Sequence, residues 1–151
     1  MSVYRRILVA VDLSQDSRAV AARAQQLAPA AEVRLLHVVE FVPMEPIGDS
    51  LVPMVQIDDA MMARAGAQIV ALGAELGLPA SATHAELGNV KHEILRQARE
   101  LQADLIVIGA RERHGLSLLA HRTEDSVLHG APCDVLAVRV SEPAPPGARE
   151  R

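Results

Sequence analysis

Asp12 stands at the end of an unbroken apolar run, residues 7–11, and is followed at once by Ser14 and Asp16. A carboxylate there can help start the next helix through local hydrogen bonds, or it can line a ligand pocket. A second stretch with chemical means begins at Gly109, directly after the apolar run 105–108, and continues as Ala110-Arg111-Glu112-Arg113-His114-Gly115. Glycine lets backbone N–H groups approach an anion, and arginine pairs with phosphate or carboxylate. The same arginines serve equally as a solvated loop. His114, His121 and His129 are seven and eight residues apart. That is no zinc-ligand spacing, and His121 with Asp125 is an ordinary i, i+4 pair, so no metal site is expected. Cys133 is the single cysteine. It has no intrachain partner and reads as a small hydrophobe where the last strand begins. No Gly-x-Ser-x-Gly elbow, phosphate-binding P-loop or His-Glu-x-x-His motif occurs, so an enzyme is not expected.

These residues belong to a chain of 151 residues, the size of one domain. Half the residues are hydrophobic, yet there is no Trp and only one Phe and one Tyr. A core is therefore assured and is aliphatic, and base stacking is excluded as a working principle. The net charge of −4 disfavours nucleic acid. No apolar stretch reaches the length of a membrane span, and residues 1–6 lead into no signal sequence, so a cytoplasmic location is expected.

The elements that must position Asp12 and Gly109 follow from periodicity. Continuous apolar runs at residues 7–11, 33–39 and 105–108 suit parallel strands buried on both faces. Residues 80–86 alternate and suit an edge strand, and 135–140 form the last strand. Helices are expected from Ser14 as N-cap to a stop at Pro29, over 58–76, after Gly88-Asn89, and over 118–128 with Gly130-Ala131-Pro132 as terminator. The third carries a buried stripe of Val90, Ile94, Ala98 and Leu101. In the second, Ile57, Met61, Ala65, Ile69, Leu72 and Leu76 share one face, which places Met61 in the core and leaves Met44 and Met54 open. His37, in mid-strand, reads as a hydrogen-bonded core histidine. Residues 40–57, with three prolines, read as an irregular lid or partner surface, 110–117 as a loop, and 141–151 as a disordered Pro-rich tail. Strands alternating with helices imply a parallel sheet covered on both faces.

Arg6-Ile7-Leu8-Val9-Ala10-Val11-Asp12-Leu13-Ser14, Leu36-His37-Val38-Val39, the stretch from Ala103 to Arg111 and that from Ser126 to Val138 together resemble the universal stress protein family over about residues 3–140. The resemblance implies one α/β domain over 1–140, a three-layer sandwich of the adenine nucleotide alpha hydrolase-like type. Its five-stranded parallel sheet has the order 3-2-1-4-5. It also implies a homodimer through the last strand, between Val135 and Val140, where pairing would cover an apolar edge. Nucleotide-binding members carry Gly-x-x-Gly, nine residues, then Gly-Ser or Gly-Thr. Gly109 matches the first glycine, the second falls on Glu112 and the third on Arg122, while Thr123 keeps the hydroxyl. Asp12 and Val38 match positions at the adenine end. The resemblance thus implies a candidate nucleotide site of Asp12, Val38, Gly109, Arg111 and Thr123 with an altered phosphate side. A carboxylate about 4 Å from a phosphate charge costs about 1 to 4 kcal/mol, or about ten- to a thousand-fold in affinity. The implied function is a stress-response homodimer of the A type, acting through unidentified protein partners, with no resident cofactor. The alternative is a module that binds ATP or AMP, with at most slow hydrolysis.

Overall fold

The computed structural model describes residues 2–40, 54–111 and 123–140; the side chains of 54–58, 111 and 123–125 are outside the described set. The apolar runs become strands, in the order β1 (Arg6–Ala10), α1 (Ser17–Leu27), β2 (Glu32–Glu40), α2 (Met54–Glu75), β3 (Thr83–Gly88), α3 (Val90–Leu101), β4 (Leu105–Arg111), α4 (Thr123–Gly130) and β5 (Asp134–Val140). A short 3-10 turn, Ala80–Ala82, leads into β3. The five strands form one parallel sheet in the order β3-β2-β1-β4-β5. This is the order that the resemblance implies.

Alternate residues of the central strands face opposite layers. Ile7, Val9, Leu35, Leu105 and Val107 pack with Val20, Ala21 and Ala24 of α1 and Ile69 of α2. Leu8, Leu36, Val38, Ile106 and Ile108 pack with Ile94, Leu95, Ala98 and Leu101 of α3 and Val127 of α4. Two apolar faces on one strand explain the unbroken runs, and they make three layers. α3 starts where Asn89 accepts the His92 N–H at 3.0 Å, and it ends at Gln102 in the left-handed region, φ 53°. Across from it, α4 comes so close that a Cβ on Gly130 would lie 2.7 Å from Leu95 Cδ1.

Several boundaries differ from expectation. α1 begins at Ser17 with Asp16, not Ser14, at the N-cap. α2 begins at Met54, inside the stretch expected to be irregular. β4 continues through Gly109 to Arg111 because β5 keeps pairing with it as far as Val140. Gly130 is the last residue of α4 rather than its terminator. Met61 is 49% exposed, not core; the buried stripe of α2 is carried by Ala65 and Ile69, with Leu72 and Leu76 packed at its margin. Residues 41–53, 112–122 and 141–151 lie outside the described residues, and with them the bulk of the expected lid, the expected loop from 112 onward, the start of the expected fourth helix and the expected tail.

Ile106 lies in the middle of β4 with no exposed surface. Replacing it by alanine should lower unfolding stability by about 2–5 kcal/mol, read as a shift of the urea midpoint with an unchanged slope.

Candidate functional site

Chain direction decides where a site forms. β1 and β4 are neighbours, with Ala10 opposite Ile108, and β1 also pairs with β2, with Ala10 opposite Leu36. Asp12, Val38 and Gly109 are thus one or two residues beyond aligned positions on three adjacent strands. The structure brings all three to the wall of a single cavity of about 320 Å³ at the carboxyl ends of the strands. That is within the range of small-molecule pockets, roughly 300–1,000 Å³. The strand order reverses at this point, where ligands of open parallel sheets bind.

The loop after β1 is built around Asp12. Its Oδ1 accepts the Ser14 N–H at 2.9 Å and the Ser17 hydroxyl at 3.2 Å. Leu13, between them, takes φ 60°, a left-handed conformation that side chains other than glycine rarely adopt. Ser17 is 4% exposed, so its hydroxyl is committed inside the protein. Asp12 therefore builds the turn that leads into α1, and it lines the pocket as well.

On the other side, β2 holds the residue before Asp12. Val11 donates its N–H to the Leu36 carbonyl at 2.9 Å, and its own carbonyl is 2.8 Å from His37 Nδ1. His37 is hydrogen-bonded, as expected, and it is also among the residues that line the cavity. Gly109 lies under α1: a Cβ there would meet Val20 Cγ2 at 3.3 Å and Val140 Cγ1 at 3.8 Å. Apolar contacts from Val38, Ile94 and Ile108 line the opposite side.

The described wall is acidic. Asp12, Asp16 and Glu40 contribute to it, and among the described residues no Lys or Arg does. Arg111 ends β4 opposite Val140 and Thr123 opens α4. Their side chains lie outside the described residues, as do Glu112, Arg113 and Arg122. His37, Asp16, Ser17 and Glu40 were not among the expected site residues. The signal for them was their nearness in sequence to Asp12 and Val38.

Elsewhere, Cys133 is half-buried against the layer under α3 and α4. Burial pushes its thiol up from the usual range, and the Asp134 and Asp104 carboxylates push it the same way. It is thereby disfavoured as a thiolate nucleophile. His129 is exposed on α4, whereas His114, His121 and the Asp125 side chain lie outside the described residues. Among the described residues no group of His, Cys, Asp and Glu could hold a metal ion, and no helix is long and apolar enough to cross a membrane.

The model of the universal stress protein family matches residues 3–139. Universal stress protein A homolog 2 of Coxiella burnetii is 34% identical over 143 residues, covering 93% of this chain and 98% of that protein. Among solved structures, universal stress protein UspA from Lactobacillus plantarum is 26% identical, covers 90% of this chain and 98% of its own, and superposes with a TM-score of 0.58. A universal stress protein solved in complex with cAMP is 20% identical, covers 90% and 97%, and gives a TM-score of 0.51.

The Ser17 hydroxyl can be tested directly. Ser17→Ala should lower stability by about 1 kcal/mol, because it removes a buried donor to Asp12. An unchanged urea midpoint would show that this bond contributes nothing to the loop.

Proposed function

Because the chain belongs to the universal stress protein family, we propose that it is a homodimeric, non-catalytic stress-response protein of the cytoplasm. It acts through protein partners and does not bind ATP tightly. Its cavity accepts the nucleoside end of an adenine nucleotide and grips the phosphates poorly.

The observation that carries this proposal is the composition of the cavity. Asp12, Val38 and Gly109 meet there, as a nucleoside site requires, but the described wall adds Asp16 and Glu40. Carboxylates beside phosphate oxygens oppose binding by about 1 to 4 kcal/mol per close pair. Glu112 and Arg122 stand in place of the family's second and third glycines. They remove positions where bare backbone N–H groups would reach an anion.

The homodimer is supported by the position of β5. It is an edge strand of the sheet, and its Val135, Leu136 and Val138 are only half-buried. An apolar edge left unpaired is an aggregation hazard, and a second copy of the strand would cover it. Light scattering at micromolar concentration should give the mass of two chains. A monomer at that concentration would overturn this part of the proposal.

A second reading, an ATP- or AMP-binding module, is favoured by the cavity itself and by its position at the strand reversal. The relative solved with cAMP supports a nucleotide as the kind of ligand this fold can hold. Calorimetric titration separates the two readings. The expected result is that ATP binds no more tightly than adenosine. The Glu112→Gly, Arg122→Gly double variant should then gain about tenfold or more for ATP and little for adenosine. Micromolar ATP binding by the unaltered protein would establish the second reading instead.

A further inference from the structure

We propose that His84 is an acid-sensitive latch between the edge strand β3 and α3: protonating its ring draws Glu86 away from Gln97 and frees the strand from the helix. The latch is independent of the cavity and of the nucleoside reading.

The register of β3 fixes where His84 lies. It pairs with Leu36, and Glu86 pairs with Val38. Leu36 and Val38 belong to the layer under α3, while Ala85, between His84 and Glu86, packs on the opposite layer. His84 and Glu86 therefore share the α3 face of the sheet. So does Arg34, which pairs with Leu8. Gln97 of α3, only 3% exposed, ties the two strands together. Its Oε1 accepts from Arg34 Nη1 at 3.1 Å, and its Nε2 donates to Glu86 Oε1 at 3.3 Å. Arg34 comes two residues before Leu36, and Glu86 two residues after His84, so this bridge runs diagonally across the Leu36–His84 pair.

His84 Nε2 is buried and has no hydrogen-bond partner among the described residues. Such an atom is uncommon in folded proteins and calls for a cause. A neutral imidazole has one donor nitrogen and one acceptor; a protonated ring has two donors. The charged groups facing this corner are Arg34 on β2, Glu86 on β3, and Glu93, Arg96 and Glu100 on α3. Carboxylates outnumber guanidinium groups there by one, so an imidazolium balances them. Its new N–H needs an acceptor, and Glu86 is the carboxylate of its own strand and face. A charge-assisted bond displaces an amide donor held at 3.3 Å. Gln97 then keeps Arg34 alone. β3, which has a neighbouring strand on one side only, loses that tie to α3.

The test is a pH series from about pH 8 to about pH 5 on the full, isotopically labelled chain, followed by NMR. The Gln97 side-chain amide signals should move in step with the His84 ring signals. Backbone amide exchange over residues 83–88 should quicken about tenfold across the same step, beyond the intrinsic effect of pH. His84→Phe fills the same place without a titrating nitrogen, so its Gln97 signals should stay still; His84→Gln serves the same purpose if the phenylalanine variant does not fold. Glu86→Gln removes the charged acceptor and should uncouple the two sets of signals. Gln97 signals that ignore pH in the unaltered protein would overturn the inference. Signals that move alike in a folded His84 variant would overturn it too.

Discussion

Every other part of this fold depends on β1 being hydrogen-bonded along both of its edges in one register. That register is pinned before the strand begins. The Asp104 carboxylate accepts the backbone N–H groups of Arg5 and Arg6 at 2.8 and 3.1 Å. The Asp104 N–H donates to the Arg6 carbonyl, and the Glu32 N–H donates to that of Arg5. A slip of one residue would turn Leu8 out of the α3–α4 layer and into the α1–α2 layer, along with every other side chain of the strand. With both neighbours pinned at the start, the far ends of β2, β1 and β4 must come out level. That is why residues as distant in sequence as Asp12 and Gly109 share one wall.

The cavity follows from what happens next. The chain leaving β1 enters α1, which packs on one face of the sheet, whereas α4, after β4, packs on the other. Two adjacent strands whose exits diverge leave a crevice between them. The N-terminus of α1 opens onto it, and a helix N-terminus ordinarily attracts anions. Here the chain supplies its own. Asp12 takes the Ser14 N–H, Asp16 occupies the N-cap, and both line the cavity. An incoming phosphate thus meets carboxylates at a place where other sheets of this kind offer bare N–H groups.

The layers and the strand alternation were legible in the sequence because a strand buried on both faces must be apolar at every position, and such runs stand out. Boundaries were less legible, each for a local reason. Ser14 has the composition of an N-cap, yet Asp12 captures its N–H and Leu13 turns the backbone through φ 60°, so the helix is delayed to Ser17. Gly109 looks like a strand end, but whether a strand continues depends on its neighbour, and β5 pairs on through Arg111. Met61 keeps the period of the buried stripe of α2, but periodicity cannot tell how far along a helix the sheet beneath it extends. Of the site, Asp12, Val38 and Gly109 were legible through the resemblance, and the structure places them together. His37 was legible only as a core residue, since no spacing in the sequence distinguishes a residue that serves the fold alone from one that also lines a cavity.

That distinction bears on how much a cavity of this kind says about binding. A crevice at the strand reversal is a product of topology and persists whether or not a ligand has use for it. Gly109 has a sufficient cause in packing, since a Cβ there would crowd Val20 at 3.3 Å. Asp12 has one in the turn it builds, and Val38 one in the core beneath α3. None of the three needs a nucleotide to explain it. His37 has a sufficient cause as well, since its Nδ1 bonds the Val11 carbonyl. The crevice is therefore a consequence of strand order and packing first, and any ligand it takes must fit walls that the fold has already set.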